Sequence, residues 1–276
     1  MEPFAPGILH PTDFSEASRV AFAHALAIAL AQKAKLTLIN ASEDKPTVEE
    51  WERFPSVRAT LEDWGLLEKG SARSDVYEKL AIKVKKVTVD DSPVSAINEY
   101  LRDHPADIMV LATEQRSGLP RVLRDSVSGK VAHREGVDAL FVPEGSRGFV
   151  NPKDGSLSLK RILLPVDSSP DPGPAVEAAA WAAHWLGVAP VRVDLLHVGD
   201  AMPPVDLSPL GECQVEQVLR QGEPVDEILA AARELDSDLV MMATDGRDGF
   251  LDIFRGSHAE RVVRGAPCPV AAISVA

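Results

Sequence analysis

The sequence is poor in cysteine, in aromatic residues and in basic charge. Its two cysteines, Cys213 and Cys268, stand among 276 residues, which excludes a disulfide framework and is typical of buried thiols in a reduced compartment. A redox pair or a pair of metal ligands is the alternative. Lys and Arg number 29 against 42 Asp and Glu, and the net charge is −13. General nucleic-acid binding and attachment to anionic membranes both need a basic surface, so we expect neither partner.

Long apolar runs and targeting signals are also lacking. The longest nearly apolar run, residues 20–31, is too short to span a bilayer and is interrupted by His24. Residues 1–7 have no basic segment of the kind that opens a signal peptide. We therefore expect a cytoplasmic protein.

Common catalytic and cofactor motifs are absent from the sequence. It has no GxxxxGK[ST] phosphate loop, no GxGxxG fingerprint and no GxSxG elbow. The seven histidines show no spacing typical of metal ligands. His10, together with Asp13 and His133, is the one set that suggests a metal or polar pocket, with a surface or core histidine as the alternative.

What the sequence does contain is an internal repeat. The pattern I-L-x-P-x-D-x-S occurs at residues 8–15 and again at 162–169, and residues 107–113 match 238–244. A whole domain is therefore present twice. We predict a first domain over 1–146 with an inserted helical segment at about 42–80, a linker over 147–160, and a second domain over 161–276.

Each copy has the element order β-α-β-β-α-β-α-β, with the insertion after the second strand of the first copy. Short apolar runs such as 239–243 are typical of strands buried on both faces, and helical patterns separate them. This alternation predicts an α/β fold with two tandem, doubly wound, parallel five-stranded sheets. The insertion is either an amphipathic cover over its own domain or a lid or partner-docking helix pair.

The candidate site lies where the first and fourth strands of each copy end. Asp13 or Asp167 follows the first strand, and a loop at 114–118 or 245–249 follows the fourth. In the second copy this loop carries two glycines and leads to a helix start at Ser257, which has capping-box spacing to Glu260. In a sheet of order 3-2-1-4-5 these loops meet at the switch point. A carboxylate beside a loop with exposed backbone N–H groups predicts a nucleotide site, because one end can bind the base or ribose and the other the phosphate.

These motifs resemble the universal stress protein (UspA) family, whose nucleotide-binding members have the pattern G-2x-G-9x-G-[ST]. The second copy has Ala243, Gly246, Gly256 and Ser257 at these positions, so one glycine of three is replaced. The first copy has Ala112, Gln115, Asp125 and Ser126, with all three replaced. The resemblance implies a tandem member of the family. Its UspA-like, adenine nucleotide α hydrolase-like sheets would have the order 3-2-1-4-5 and pack as a pseudo-dimer.

The resemblance also implies a binding site in the second copy for ATP or AMP, with Mg²⁺ accompanying ATP. Pro165, Val166, Asp167 and Val198 would contact adenine or ribose; Ala243, Gly246, Gly256 and Ser257 would hold phosphate; and Arg247 would neutralise it. The implied role is in stress response, through nucleotide-gated interaction with a protein partner that the sequence does not name. No residue is indicated as catalytic, so ATP hydrolysis would be slow at most.

Two other functions stay open from the sequence. One is a scaffold or interaction protein of the same fold that binds no nucleotide. The other is an enzyme that uses the diverged pocket of the first copy. Association of two chains into a homodimer is also left open.

Overall fold

The computed structural model describes residues 6–41, 48–113, 137–245 and 258–275. Within these ranges the chain forms ten strands and eight α-helices. The first copy comprises β1 Gly7–Pro11, α1 Glu16–Gln32, β2 Lys35–Ala41, α2 Val48–Arg53, α3 Val57–Asp63, α4 Asp75–Leu80, β3 Lys83–Val89, α5 Pro93–Asp103, β4 Ile108–Thr113 and β5 Asp138–Pro143. The second comprises β6 Leu159–Pro165, α6 Gly173–Trp185, β7 Gly187–Val198, β8 Gln214–Arg220, α7 Pro224–Glu234, β9 Leu239–Asp245, α8 His258–Gly265 and β10 Val270–Val275. The helix predicted at 127–134 lies outside the described residues.

Helix α1 shows how local sequence determines the element bounds. The hydroxyl of Ser15 accepts a hydrogen bond from the Ser18 backbone N–H at 3.2 Å and caps the helix N-terminus. At the other end Lys33 adopts a left-handed conformation, and its N–H bonds back to the last turn. The alanine-rich face between them packs against β1, β4 and β5.

The described strands form one sheet with the order β3-β2-β1-β4-β5-β10-β9-β6-β7-β8. Each copy therefore has the predicted order 3-2-1-4-5, and the strand pairs within each copy are parallel. The last strands of the two copies pair antiparallel, with Ala271 opposite Leu140 at the centre of three residue pairs. The predicted pseudo-dimer is confirmed, and it is built as one continuous sheet.

Helices cover the sheet on both faces. On one face α1, α6 and the helices of the insertion share a single apolar core that crosses from one copy to the other. On the opposite face α5, α7 and α8 pack over a second core. Because both faces are covered, the central strands are apolar on both sides, whereas the end strands β3 and β8 carry polar side chains on one side.

The helices of the insertion are bound to the first copy by large apolar side chains. Phe54, Leu61 and Val76 are buried in the same core as α1. Residues 54–56, which include Pro55, separate α2 from α3. These contacts favour the interpretation of the insertion as a cover over its own domain.

The segment predicted as a linker also contributes to the core. Phe149 and Val150 are buried, and Val150 pairs with Leu157 in an antiparallel bridge. The Phe149 ring meets the ring of His24 edge-on, with 4.6 Å between centroids. These apolar contacts hold residues 149–157 against α1 and lead the chain into β6.

Two histidines are buried in the first copy. His24 donates from Nδ1 to the Val20 carbonyl at 2.8 Å, and its Nε2 has no hydrogen-bond partner among the described residues. Burial lowers the pKa of His24 and of His10 from 6.5 to about 4. Both rings are therefore neutral in the folded protein above pH 5.

This burial predicts a loss of stability in mild acid. Between pH 6.5 and pH 4 the two histidines are protonated in the unfolded chain and neutral in the folded protein. The free energy of unfolding therefore falls as pH falls. From neutral pH to pH 5 each histidine removes about 2 kcal/mol. Replacing His24 by Leu, which keeps the volume and removes the titration, should abolish its share of this loss in denaturant titrations at the two pH values.

The matched control is His184→Leu, because His184 is exposed on α6. We expect this variant to keep the full pH dependence. An unchanged pH dependence in His24→Leu would contradict the assignment of His24 as a buried neutral ring.

Candidate functional site

The first and fourth strands of each copy separate at their carboxyl ends. Strands β6 and β9 pair only through Ile162–Leu239 and Leu163–Val240 in the described residues, although β6 continues to Pro165 and β9 to Asp245. Strands β1 and β4 likewise pair at two positions near their starts. A crevice therefore opens at the switch point of each copy, where doubly wound sheets bind ligands.

In the second copy the residues after β6 line this crevice. Val166 is buried, and its backbone N–H donates to the Leu196 carbonyl at 2.8 Å. Asp167 is exposed, and its Oδ1 accepts a hydrogen bond from the Ser168 backbone N–H at 2.7 Å. Backbone pairing thus fixes the chain up to Val166, and the Asp167 carboxylate is presented to solvent.

His197 is a site residue that the sequence reasoning missed. Its Nδ1 lies 2.9 Å from the Val166 carbonyl oxygen, and since a carbonyl only accepts, Nδ1 carries the proton. His197 therefore locks the backbone immediately before Asp167. In the first copy the side-chain amide of Asn40 donates to the Thr12 carbonyl at 2.8 Å, at the matching position. The self-alignment pairs these two residues, and this shared position is the signal that could have revealed them.

Val198 ends β7, and Ala243 lies two residues before the end of β9, beside the same crevice. Val198 is half-buried at the end of β7, opposite Arg220 of β8. Ala243 is paired with Ile273 in extended backbone, so its methyl group is accommodated without strain. Pro165, Val166, Asp167, Val198 and Ala243 therefore all lie at the carboxyl ends of neighbouring strands. Gly246, Arg247, Gly256 and Ser257 lie outside the described residues.

In the first copy a histidine side chain fills the gap between β1 and β4. The His10 ring crosses the gap between β1 and β4, donating from Nδ1 to the Val110 carbonyl at 2.9 Å. Its Nε2 lies 3.3 Å from the Ser18 hydroxyl. The His10 ring is fully buried, so it does not face the mouth of the site. The second copy has Leu164 at this position.

No metal site is indicated in the described parts of the chain. They contain no group of three His, Cys, Asp or Glu side chains arranged to hold an ion. His133 falls in 114–136 and lies outside them. Cys213 and Cys268 are both free, and burial raises the pKa of the Cys268 thiol to about 12. Cys268 is thus a core residue with no thiolate at neutral pH.

The insertion closes over the mouth of the first copy. Phe14 directly follows Asp13. Its ring lies edge-on to the ring of Trp51, with 4.9 Å between centroids, and edge-on to the ring of Phe54, with 5.7 Å between centroids. Trp51 donates from Nε1 to the Thr88 hydroxyl at 3.1 Å. Phe14 has a φ of 63°, a strained conformation for a bulky side chain that this packing maintains. Aromatic rings therefore occupy the approach that is open beside Asp167.

A comparison with protein families finds one match, and it covers most of the chain. The model of the universal stress protein family matches residues 7–143 and 205–274. The two matched regions fall in the two copies.

Three individual proteins to which the chain is similar are also universal stress proteins. A universal stress protein of Methanocaldococcus jannaschii is 28% identical over 145 residues, 43% of this chain and 84% of that protein. Another, from Thermus aquaticus, is 42% identical over 55 residues, 20% of this chain and 40% of its own. Among solved structures, a universal stress protein from Archaeoglobus fulgidus aligns over 98% of this chain and 96% of its own, with a TM-score of 0.60 and 20% identity. That structural likeness shows the two-copy fold.

A search for membrane spans finds no helix among the described residues that is both long and apolar enough to cross a bilayer.

The role of His197 predicts a measurable loss of stability. His197→Ala leaves the buried Val166 carbonyl without its donor, which should lower the free energy of unfolding by about 1–2 kcal/mol. Asn40→Ala removes the matching bond in the first copy and should cost a similar amount. Denaturant titrations of both variants check the expectation.

Gln221→Ala is the control, since Gln221 also donates to a backbone carbonyl, that of Gly199, but from an exposed position. It should change stability by less than about 0.5 kcal/mol. If His197→Ala is as mild as this control, His197 does not hold the backbone before Asp167.

Proposed function

The chain belongs to the universal stress protein family, and on that premise we propose that its second copy binds an adenine nucleotide, ATP or AMP. The bound nucleotide would regulate an interaction in the stress response. The observation that carries the proposal is the open crevice beyond β6 and β9, with Asp167 exposed at its edge. A ligand at a switch point of this kind is the general rule for doubly wound sheets.

The contrast between the copies supports the choice of the second. Behind Asp13 the first copy has Phe14 packed edge-on against Trp51, whereas behind Asp167 the second has the small, exposed Ser168. The two copies share a strand order and differ, among the described residues, in access. A nucleotide therefore has room at the second site and meets aromatic rings at the first.

The side chains at the second site suit the nucleoside part of the ligand. Val198, half-buried at the end of β7, offers apolar surface that suits a face of an adenine ring, and Val166 would contribute through its backbone. The Asp167 carboxylate accepts hydrogen bonds, so it fits the ribose hydroxyls or the adenine amino group. His197 holds the backbone that carries this carboxylate. Pro165, the last residue of β6, brings the chain to this point in a restricted conformation.

Phosphate would extend towards the segment after β9. Ala243 lies on that strand, and Gly246, Gly256 and Ser257 would offer backbone N–H groups and a hydroxyl, with Arg247 and Mg²⁺ balancing charge. These four residues enter the proposal through the family motif alone. We propose a binding role, with slow hydrolysis at most, because a carboxylate engaged by ribose is unavailable to activate water.

Use of the first pocket as an enzyme site has less support. The His10 ring is fully buried between β1 and β4, and Trp51 and Phe54 cover the neighbouring Phe14. A substrate would have to displace this aromatic cluster.

The direct test is the nucleotide content of the purified protein. Denaturation should release ATP or AMP, identified by chromatography, and added ATP should raise the melting temperature by mass action. When the free ATP concentration is a hundred times Kd, the free energy of unfolding rises by about 2.7 kcal/mol. If no nucleotide is released and added ATP causes no shift, the second copy is no nucleotide site and the scaffold function is favoured.

Two variants locate the site. Asp167→Asn should weaken ATP binding about tenfold or more, because hydrogen bonds to a charged group are worth about 1.5–3 kcal/mol. Gly256→Asp, which places the first copy's Asp125 into the second, should abolish binding through charge repulsion. The matched control is Asp13→Asn in the first copy, which should bind ATP normally. Equal losses in Asp13→Asn and Asp167→Asn would contradict the assignment to the second copy.

A further inference from the structure

We propose that the insertion forms a second ligand site, a basic pocket for a small organic phosphate. The pocket lies between α3, α4 and the start of β3, with a cavity volume of about 540 Å³. This volume is within the range of small-molecule sites. Four cationic side chains line it: Arg58, Arg73, Lys83 and Lys86. The insertion has no counterpart in the second copy, so this site is separate from the nucleotide crevice.

The charge of the pocket is opposite to that of the protein. The chain has a net charge of −13, yet the lining contains four cations and no Asp or Glu, and one of the four, Arg58, is paired with the Glu62 carboxylate. Clustering cations where acidic residues predominate costs repulsion that a surface of mixed charge would avoid. A bound anion would compensate for this repulsion.

Two of the cations, Lys86 and Arg73, repel each other. The pKa of Lys86 lies below its ordinary value, first because the side chain is half-buried and second because the Arg73 guanidinium is near. Lys86 is held in place by the Trp51 ring, whose centroid is 4.8 Å from Nζ. Arg58 is fixed by hydrogen bonds to the Ser71 carbonyl at 2.7 Å and to Glu62 at 3.2 Å. Arg58 and Lys86 are thus oriented by the fold before any ligand binds.

The apolar part of the lining determines the class of ligand. Tyr77 and Val84 are 48% and 39% exposed, which is high for side chains of their size, and both face the pocket. Lys83 Nζ lies 5.3 Å from the centroid of the Tyr77 ring. A free phosphate ion would leave this surface in water. A phosphate joined to an aromatic or apolar group would cover it, so the lining fits an organic phosphate better.

Protection of an edge strand explains only part of this arrangement. Strand β3 is at one end of the described sheet, and lysines on an edge strand discourage pairing with other chains. Arg58 and Arg73 are not on the strand, however, and converge on the pocket from the insertion. Lys85 is on β3 but lies over Tyr100 on the opposite face of the sheet. Edge protection alone would not bring the two arginines to Lys83 and Lys86.

Calorimetric titration of the full-length protein with phenyl phosphate tests the proposal. Inorganic phosphate and phenol are the comparison probes, since each has one half of the recognised chemistry. We expect phenyl phosphate to bind at least about tenfold more tightly than either, and its affinity to fall as salt is raised. Absence of binding at millimolar phenyl phosphate would overturn the proposal.

Variants assign the binding to this pocket. Arg73→Ala and Lys86→Ala should each weaken phenyl phosphate binding about tenfold, because each removes a charged partner of the phosphate. Lys85→Ala removes the same charge from the same strand on the other face, and should bind normally. All three side chains lie at the surface or are half-buried, so melting curves should confirm that the variants fold. Equal affinity in the Arg73→Ala and unmodified proteins would overturn the assignment.

A cross-test separates this site from the nucleotide site. Gly256→Asp should leave phenyl phosphate binding intact, and Arg73→Ala should leave ATP binding intact. Loss of phenyl phosphate binding in Gly256→Asp alone would place the probe in the crevice of the second copy and overturn the proposal. Failure of ATP to bind, with phenyl phosphate binding retained, would count against the nucleotide site only.

Discussion

The antiparallel pairing of β5 with β10 is the contact on which the rest of the structure depends. It joins two five-stranded sheets into one, so the last strand of each copy is covered by the other. Because the sheet is continuous, α1 and α6 share one apolar core across the junction, and Phe149 is buried in that core. The pairing also leaves β3 and β8 at the two ends, which places the basic pocket beside β3 at one end of the sheet.

Within this frame the two copies keep the same strand order and differ in what fills the crevice at the switch point. In both copies a side chain from the second strand donates to the backbone carbonyl that precedes the Asp of the repeated motif. This side chain is Asn40 in the first copy and His197 in the second. In the first copy side chains fill the crevice: His10 lies between β1 and β4, and Phe14 packs edge-on against Trp51. The second leaves Asp167 exposed. Among the described residues, aromatic rings thus cover the crevice of the first copy and not that of the second, and the insertion that supplies these rings also lines a basic pocket.

Part of the candidate site was predictable from sequence. The positions of Val166, Asp167, Val198 and Ala243 at strand ends follow from the self-alignment and from the rule that ligands bind at the switch point. The role of His197 did not follow, because its bond to Val166 joins residues 31 apart in sequence. Nor did the burial of His10, which depends on how far β1 and β4 separate. Neither distance leaves a local pattern in the chain.

The sequence by itself determined most of the elements and the repeat, and the strand order of each copy followed from the family resemblance. Apolar runs, helix caps such as Ser15 and the doubled I-L-x-P-x-D-x-S pattern are local or repeated signals, and they report directly on backbone conformation. Only the tertiary structure decided that the two sheets fuse, that residues 147–160 contribute Phe149 to the core, and that aromatic rings close one crevice and leave the other open. Each of these depends on which distant surfaces meet, and the free energy of such contacts is a property of packed pairs that no short segment encodes.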